Sequence, residues 1–209
     1  MSATIRQAER RDIEDAVQVD QACWPPGLSF TAERLASVLK TFPEGSFVAD
    51  SAGSVVGLIT SLRINSETVL GPLPSWHDVT DNGCIAGTHV PDGPCLFVMA
   101  VSVLPFYRDH SLGRRLVNAE LDLARRLPGV RNVMGYTRIP RYKRRSDLSV
   151  EDYLKLYRPD GRHFDSVLSF HLSNGAQIVG PVKDARPQDK DSLGYGVLIN
   201  YDARLRGDE

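Results

Sequence analysis

A chain of 209 residues with 42% hydrophobic residues, 24% charged residues and a net charge of −1 is not disordered and is poorly suited to bulk nucleic-acid binding. Three cysteines, Cys23, Cys84 and Cys95, lack metal-ligand spacing and read as reduced thiols of a cytoplasmic protein. There is no signal peptide and no apolar run long enough to span a bilayer, so residues 1–209 read as a single domain without repeats.

Thr4 to Ala8 reads as a short strand. Asp12 is placed to cap a helix running to about Gln21, with Ile13, Ala16 and Val17 facing inward, and Cys23-Trp24-Pro25-Pro26-Gly27 stops it. Thr31 caps a second helix whose apolar face is Leu35, Val38, Leu39 and Phe42. Phe47 to Ala49 and Val55 to Leu62 form a strand pair turned at Asp50-Ser51-Ala52-Gly53. Residues 65–94 are a long irregular loop rich in Gly, Pro, Asp and Thr that contains Trp76, His77, Asp78, Asp81 and His89. A loop of that length is either functional or mobile, or a surface insertion, and the composition leaves both open.

Leu96 to Leu104 is apolar at every position except Ser102 and is closed by Pro105, the pattern of a strand buried on both faces. A short turn, Arg108 to Gly113, leads into a helix with Leu112, Leu116, Ala119, Leu123 and Leu127 along one face, stopped by Leu127-Pro128-Gly129. Small residues at Ser111 and Gly113 let backbone N–H groups approach an anion, and the helix N-terminus adds partial positive charge. Strand, turn and helix form a pyrophosphate cradle, or else an ordinary strand-to-helix connection. Val133 to Ile139 is the next strand, with Val133, Gly135, Thr137 and Ile139 on one face. An insertion over 140–163 follows, in which Ser149 and Asp152 form a capping box for a short helix from Val150 to Tyr157. Asp165 caps a helix ending at Gly175, with Val167, Leu168, His171 and Leu172 on one face, and Gln177 to Val182 and Tyr195 to Tyr201 are the last strands. The sum is an α/β domain with a mixed, mostly antiparallel sheet of about seven strands flanked by helices.

Val103-Leu104-Pro105 followed by Arg108-x-x-Ser111-x-Gly113 resembles the acyl-CoA-binding motif of the GCN5-related N-acetyltransferase (GNAT) superfamily. Its pattern is valine-x-proline, then arginine-x-x-glycine-x-glycine/alanine. Ser111 replaces a glycine and fits if its φ stays negative. A strand, two helices and a hairpin ahead of the central strand is the order of that fold. The resemblance implies that acyl-CoA binds along Val101 and Val103 and at Arg108, Asp109, His110, Ser111, Leu112, Gly113 and Arg114. It implies no permanently bound cofactor and no metal.

Many members keep a general-acid tyrosine four residues before the glycine that ends the last helix, and here His171 stands four before Gly175. A narrower resemblance fits that change. Tyr136-Thr137-Arg138-Ile139-Pro140, Phe170-His171 with Gly175-Ala176, Arg186-Pro187-x-Asp189 and Gly194-Tyr195-Gly196-Val197-Leu198-Ile199 are similar to the GNAT domains that initiate some modular polyketide synthases. So is the upstream loop with Trp76, Thr80-Asp81-Asn82-Gly83, His89 and Gly93. Similar C-terminal patterns occur in GNAT domains fused to carbon–nitrogen hydrolases. The resemblance implies decarboxylation of malonyl-CoA or methylmalonyl-CoA, followed in some members by S-acyl transfer to the phosphopantetheine thiol of an acyl carrier protein. It assigns the site to Thr137, His171, Arg186 and Trp24.

The chemistry is consistent with those residue types. Loss of CO₂ leaves an enolate, and a donor to its oxygen in a dry site contributes roughly 3–4 kcal/mol. Thr137 offers a hydroxyl, protonated His171 a proton for the carbanion, and Trp24 an apolar wall beside the carboxylate. Arg186 can grip the carboxylate or the carrier's phosphate. Singly, each also has a structural reading: β-propensity, a core histidine, a solvated loop charge, a packed corner. The basic run Arg138 to Arg145 is a solvated face, a surface for an acidic carrier protein or, least of all, for nucleic acid. The rival readings are an amine N-acetyltransferase and a non-catalytic acyl-CoA- or carrier-binding module; no membrane partner is expected.

Overall fold

The computed structural model describes residues 3–65, 68 and 73–201. The chain opens with strand β1 (Thr4–Gln7), helices α1 (Ile13–Cys23) and α2 (Ala32–Thr41), and the hairpin β2 (Ser46–Ser51) and β3 (Ser54–Ile64). A short helix α3 (Trp76–Thr80) precedes β4 (Cys95–Val103), α4 (Leu112–Arg126) and β5 (Asn132–Thr137). Then come a short α5 (Val150–Tyr153), α6 (Ser166–Ser173), β6 (Ala176–Val182) and β7 (Gly196–Tyr201). The strands form one sheet in the order β1-β2-β3-β4-β5-β7-β6. Among the described residues, β4 and β5 run parallel and the other neighbours antiparallel. A parallel pair needs a long crossover, and α4 supplies it. The α/β architecture read from the sequence is the one observed.

The caps at Thr31 and Asp165 form as expected: Thr31 accepts from Arg34 N, and Asp165 from Val167 N and Leu168 N. Asp12 does not act as expected. Its side chain does not cap α1 and instead accepts from both Nη atoms of Arg6, at 2.7 and 2.8 Å, and from the Glu9 N–H. Two bonds from a cationic guanidinium outweigh those that uncharged backbone N–H donors would offer the same carboxylate. The helix expected over 150–157 ends at Tyr153, although Ser149 caps it.

The 65–94 segment is more ordered than its composition suggests, residues 66, 67 and 69–72 lying outside the described residues. Trp76, Val79, Thr80 and Ile85 are buried in the core, so the described part is a packed element of the fold.

The feature that opens the site is a one-residue irregularity in β4. Thr60 pairs with Ala100 and the next residue, Ser61, with Val98, so Met99 is an extra residue opposite β3. Such a bulge bends its strand. Pairing with β5 stops at that point: Val98 faces Gly135, and no pairing with β5 continues beyond it among the described residues. The two strands then part. The edge of β4 over Met99 to Val103 loses its strand partner on that side and borders a cleft.

Candidate active site

The cleft holds a cavity of about 450 Å³. One wall is β4 from Val98 to Val103, and the opposite wall is Gly135 to Arg138 with Ile199 and Tyr201. Val167, Phe170 and His171 of α6 close one side, and Cys23, Trp24, Arg108 and Gly113 line the rest. Of the residues assigned from the sequence, Trp24, Val101, Val103, Arg108, Gly113, Thr137 and His171 therefore meet around one space.

α6 carries His171, and Asp165 fixes where α6 starts. Its Oδ1 caps the helix, while its Oδ2 accepts from Arg141 N and from the Tyr153 hydroxyl at 2.9 and 3.0 Å. Four donors on one buried carboxylate hold the helix start rigidly against the 140–163 insertion. His171 is buried, and its Nδ1 lies 2.6 Å from the Tyr201 hydroxyl. Burial pushes the imidazole down to about 4, so it is neutral at physiological pH. The protonated His171 expected from the sequence is not what this pocket holds. Thr137 is buried at the end of β5, and its hydroxyl makes only a long 3.2 Å bond to the carbonyl of Arg138.

Arg186 is not where the sequence led us to expect it. It is buried, is not one of the cavity-lining residues, and stands behind Trp24. Its guanidinium lies 4.8 Å from the Trp24 ring centre and 4.1 Å from that of Trp76. Two indole faces hold it more tightly than an open loop would, and each such contact contributes up to about 2 kcal/mol when desolvated. Burial and the nearby Arg138 push Arg186 down to about 9, which leaves it charged at neutral pH. Its Nη2 and Trp76 Nε1 both donate to the carbonyl of Met99, the bulge residue, at 3.3 and 3.2 Å. The bulge is thus fastened from the side opposite β3.

Trp24 is held by a chain of its own. Its Nε1 donates to Ser102 Oγ at 2.9 Å, and Ser102 donates to Asp20 at 2.6 Å. Asp20 also accepts the Phe30 N–H, and burial raises its carboxyl above the usual range. Arg138 reaches over the same indole at 5.5 Å and is bidentate to Asp189, at 2.5 and 2.6 Å. Burial alone would raise Asp189, but the paired bonds from Arg138 win and hold it below the usual range.

The turn read as a cradle leads into α4 with one departure in its backbone, at Ser111. α4 begins at Leu112, and Ser111 makes no side-chain cap, so the first N–H groups of the helix are left for another acceptor. Ser111 has φ +57°, in the left-handed region, where a negative value was expected. The turn from the strand into α4 demands that conformation, and a glycine would meet it without strain. A Cβ on Gly113 would come within 2.9 Å of the Phe170 ring, which explains the glycine there. Arg114 donates to Asn174 and ties the cradle to α6. Arg108 folds back, its Nε donating to the carbonyl of Val103 at 3.1 Å, beside Cys23. The side chains of Asp109 and His110 lie outside the described residues.

The basic run is largely spent on structure. Arg138 pairs with Asp189, Arg141 bonds the carbonyl of Phe164, Lys143 faces Asp191 and Arg145 faces Asp147. Sequence reasoning missed Tyr201 as a partner of His171, and missed Asp20, Ser102 and Arg138 as supports of Trp24. Nothing near these residues in the chain signals the contacts, which span 30, 82 and 78 positions for the first two pairs and the Trp24–Ser102 bond. Among the described residues no cluster of His, Cys, Asp or Glu could hold a metal ion, and no helix is long and apolar enough to cross a membrane.

Comparison with known proteins bears on the family and the fold. The loading GNATL domain of CurA from Lyngbya majuscula superposes with a TM-score of 0.88 at 26% identity, covering 99% of this chain and 100% of that domain. The GphF GNAT-like decarboxylase in complex with isobutyryl-CoA superposes with a TM-score of 0.81 at 32% identity, covering 96% of this chain and 100% of that one. "Uncharacterized N-acetyltransferase YkwB" of Bacillus subtilis is 37% identical over 205 residues, 95% of this chain and 88% of its own length. "Probable hydrolase YhcX" of the same organism is 34% identical over 94% of this chain, which spans 38% of that longer protein. Residues 13–144 match the acetyltransferase (GNAT) family, and with the fold, the cradle and the cleft between β4 and β5 the chain belongs to that family.

Proposed function

We propose that the chain decarboxylates malonyl-CoA or methylmalonyl-CoA. The observation that carries this reading is that Thr137 and His171 line the same cavity as Val101, Val103, Arg108 and Gly113, with histidine where many relatives keep an acid tyrosine. The diphosphate of acyl-CoA rests on the free N–H groups at the start of α4, with Arg108 swinging off the Val103 carbonyl to meet it. The pantetheine arm runs along the unpaired edge of β4, and the acyl end lies between Thr137 and His171.

In the reaction the bond from Cα to the carboxylate breaks, CO₂ leaves, and the electron pair passes into an enolate with its charge on the thioester oxygen. The Thr137 hydroxyl, weakly engaged by Arg138, turns to donate to that oxygen, an interaction of about 3–4 kcal/mol in a site shielded from water. The neutral imidazole of His171 donates beside it. Trp24 forms the apolar wall that receives CO₂, and Arg186 acts through Trp24, as a positioning residue behind it. Acyl-CoA is a substrate in this scheme, and no resident cofactor is involved.

The likeness to the CurA loading domain supports a second step, transfer of the acyl group to the phosphopantetheine thiol of an acyl carrier protein. Acetylation of an amine is the rival reading, favoured by the name of one relative. One assay separates them: the protein is incubated with malonyl-CoA, methylmalonyl-CoA or acetyl-CoA, with and without a holo carrier protein or an amine panel, and products are followed by mass. Decarboxylated thioester is expected from at least one of the first two, slowed by His171→Ala and by Thr137→Val. Its absence from both, with acetylated amine formed, overturns the proposal.

A further inference from the structure

We propose that Tyr201 fixes His171 as the neutral imidazole with its proton on Nε2, and replaces that proton once it has been spent. The two side chains meet at 2.6 Å between the Tyr201 hydroxyl and Nδ1, both are buried, and both line the cavity. Two placements of the shared proton have to be weighed. With the proton on Nδ1, His171 would donate to the phenol oxygen and the Tyr201 O–H would need a second acceptor. Among the described residues that hydroxyl has no partner other than His171. A buried donor left without an acceptor has given up its hydrogen bond to water and gained none in return.

With Tyr201 donating to Nδ1, both groups are satisfied and the imidazole carries its hydrogen on Nε2. That nitrogen has no protein partner among the described residues, yet it is not among the sealed, unpartnered buried atoms, so it is open to the cavity. The side of His171 that faces the acyl end is therefore a donor. Burial keeps the ring neutral, and the Tyr201 contact decides which nitrogen carries its proton.

The arrangement accounts for the proton that decarboxylation consumes, and this half of the inference rests on the proposed function. When CO₂ departs, the enolate carbon takes the Nε2 proton, forming the new C–H bond. Nδ1 takes the Tyr201 proton in the same movement, so the ring stays neutral with its proton on the other nitrogen. The negative charge of the enolate ends on the Tyr201 oxygen. A thioester enolate is a far stronger base than a phenolate, so the transfer runs downhill even though burial raises the Tyr201 phenol above its ordinary value. Nδ1 then hands its proton back to the phenolate as water in the emptied cavity protonates Nε2, and the pair resets with hydroxide released to solvent. One proton is consumed for each CO₂ released, and no further reactant is needed.

Tyr201 is thus a positioning residue with a proton to lend, and its test must read more than activity. ¹⁵N NMR of the histidine-labelled wild-type protein at about pH 7 should find His171 protonated on Nε2 and bare on Nδ1. A proton on Nδ1, or an imidazolium, overturns the assignment, whether or not the protein decarboxylates anything. Tyr201→Phe should mix the two tautomers and lower kcat for decarboxylation by about 100-fold with KM little changed; full kcat in a folded variant overturns the role. Should that variant fail to fold, a fluorotyrosine placed at position 201 keeps the shape and the donor but makes the phenol more acidic. The alkaline limb of kcat should then move to lower pH, and an unmoved limb removes the resupply step. A wild-type protein that decarboxylates neither thioester would sink the proposed function and the resupply with it, while the tautomer would still be decided by NMR.

Discussion

The guanidinium of Arg186 lies 4.1 Å from the centre of the Trp76 ring, and through this contact a loop residue near the end of the chain fastens the 65–94 segment to the cavity wall. The same cation backs Trp24, and with Trp76 it secures the Met99 carbonyl. Arg186→Lys keeps a charge but loses the flat face that stacks between two indoles. We expect it to lower the unfolding free energy by about 2 kcal/mol in urea titration and to reduce turnover by loosening Trp24. Unchanged stability would remove the clamp from the account.

The pH dependence of the site follows from His171. Its folded value of about 4 lies below the ordinary 6.5, so the unfolded chain binds the proton more readily. The contribution of neutral His171 to stability is complete above about 6.5 and is lost as pH falls through about 4. Turnover at low substrate should share that limb, with kcat/KM falling near pH 4 and not near 6.5. A pH profile with its acid limb at the ordinary histidine value would show that the ring charges freely.

Ser111 pays for its left-handed φ of +57° with strain that glycine would not bear. Ser111→Gly should raise stability by about 1 kcal/mol. The cradle is built from backbone N–H groups, so the affinity for CoA, measured by calorimetry, should hold within a small factor. A large loss of affinity would assign the serine hydroxyl a part in binding.

Glu120 is wholly buried on α4, with Ser61 donating to one carboxylate oxygen at 2.9 Å and the other oxygen unpartnered. Burial pushes it from 4.5 up to about 8, so the folded protein keeps a proton that the unfolded chain has lost. Stability should therefore decline as pH rises from about 4.5 through about 8, by up to about 1.4 kcal/mol per unit. Glu120→Gln should abolish that decline and be the more stable protein at the upper end. Urea titrations across this range check it, and a slope that survives the substitution places its origin elsewhere.

The central strands were legible because β3 and β4 carry long, nearly unbroken apolar runs, and α4 because its apolar stripe follows the helical period. Thr31 and Asp165 could be read as caps because capping is local, within three residues. The cleft was not legible. Val98, Met99 and Ala100 are all apolar, so the irregularity at Met99 leaves no mark in the pattern of residue types. Arg138 looked like one member of a basic run until the fold brought Asp189 against it. His171 could be found from its distance to Gly175, but its charge could not, since that depends on burial by strands and helices far along the chain. Trp76 and Val79 stand three apart as on a helix, but α3 is only five residues long and Ile85 lies beyond it, so the pattern is too short to read among glycines and prolines.

The bulge at Met99 has a last consequence. Because Thr60 and Ser61 are consecutive while Ala100 and Val98 are not, removing Met99 would leave the β3 register intact on both sides. A straightened β4 would then lie alongside β5 past Gly135, and the two strands would be free to zip together where acyl-CoA is proposed to lie. The space for the ligand is one residue of surplus chain, and Trp76 and Arg186 are the two donors that keep this slack from being taken up.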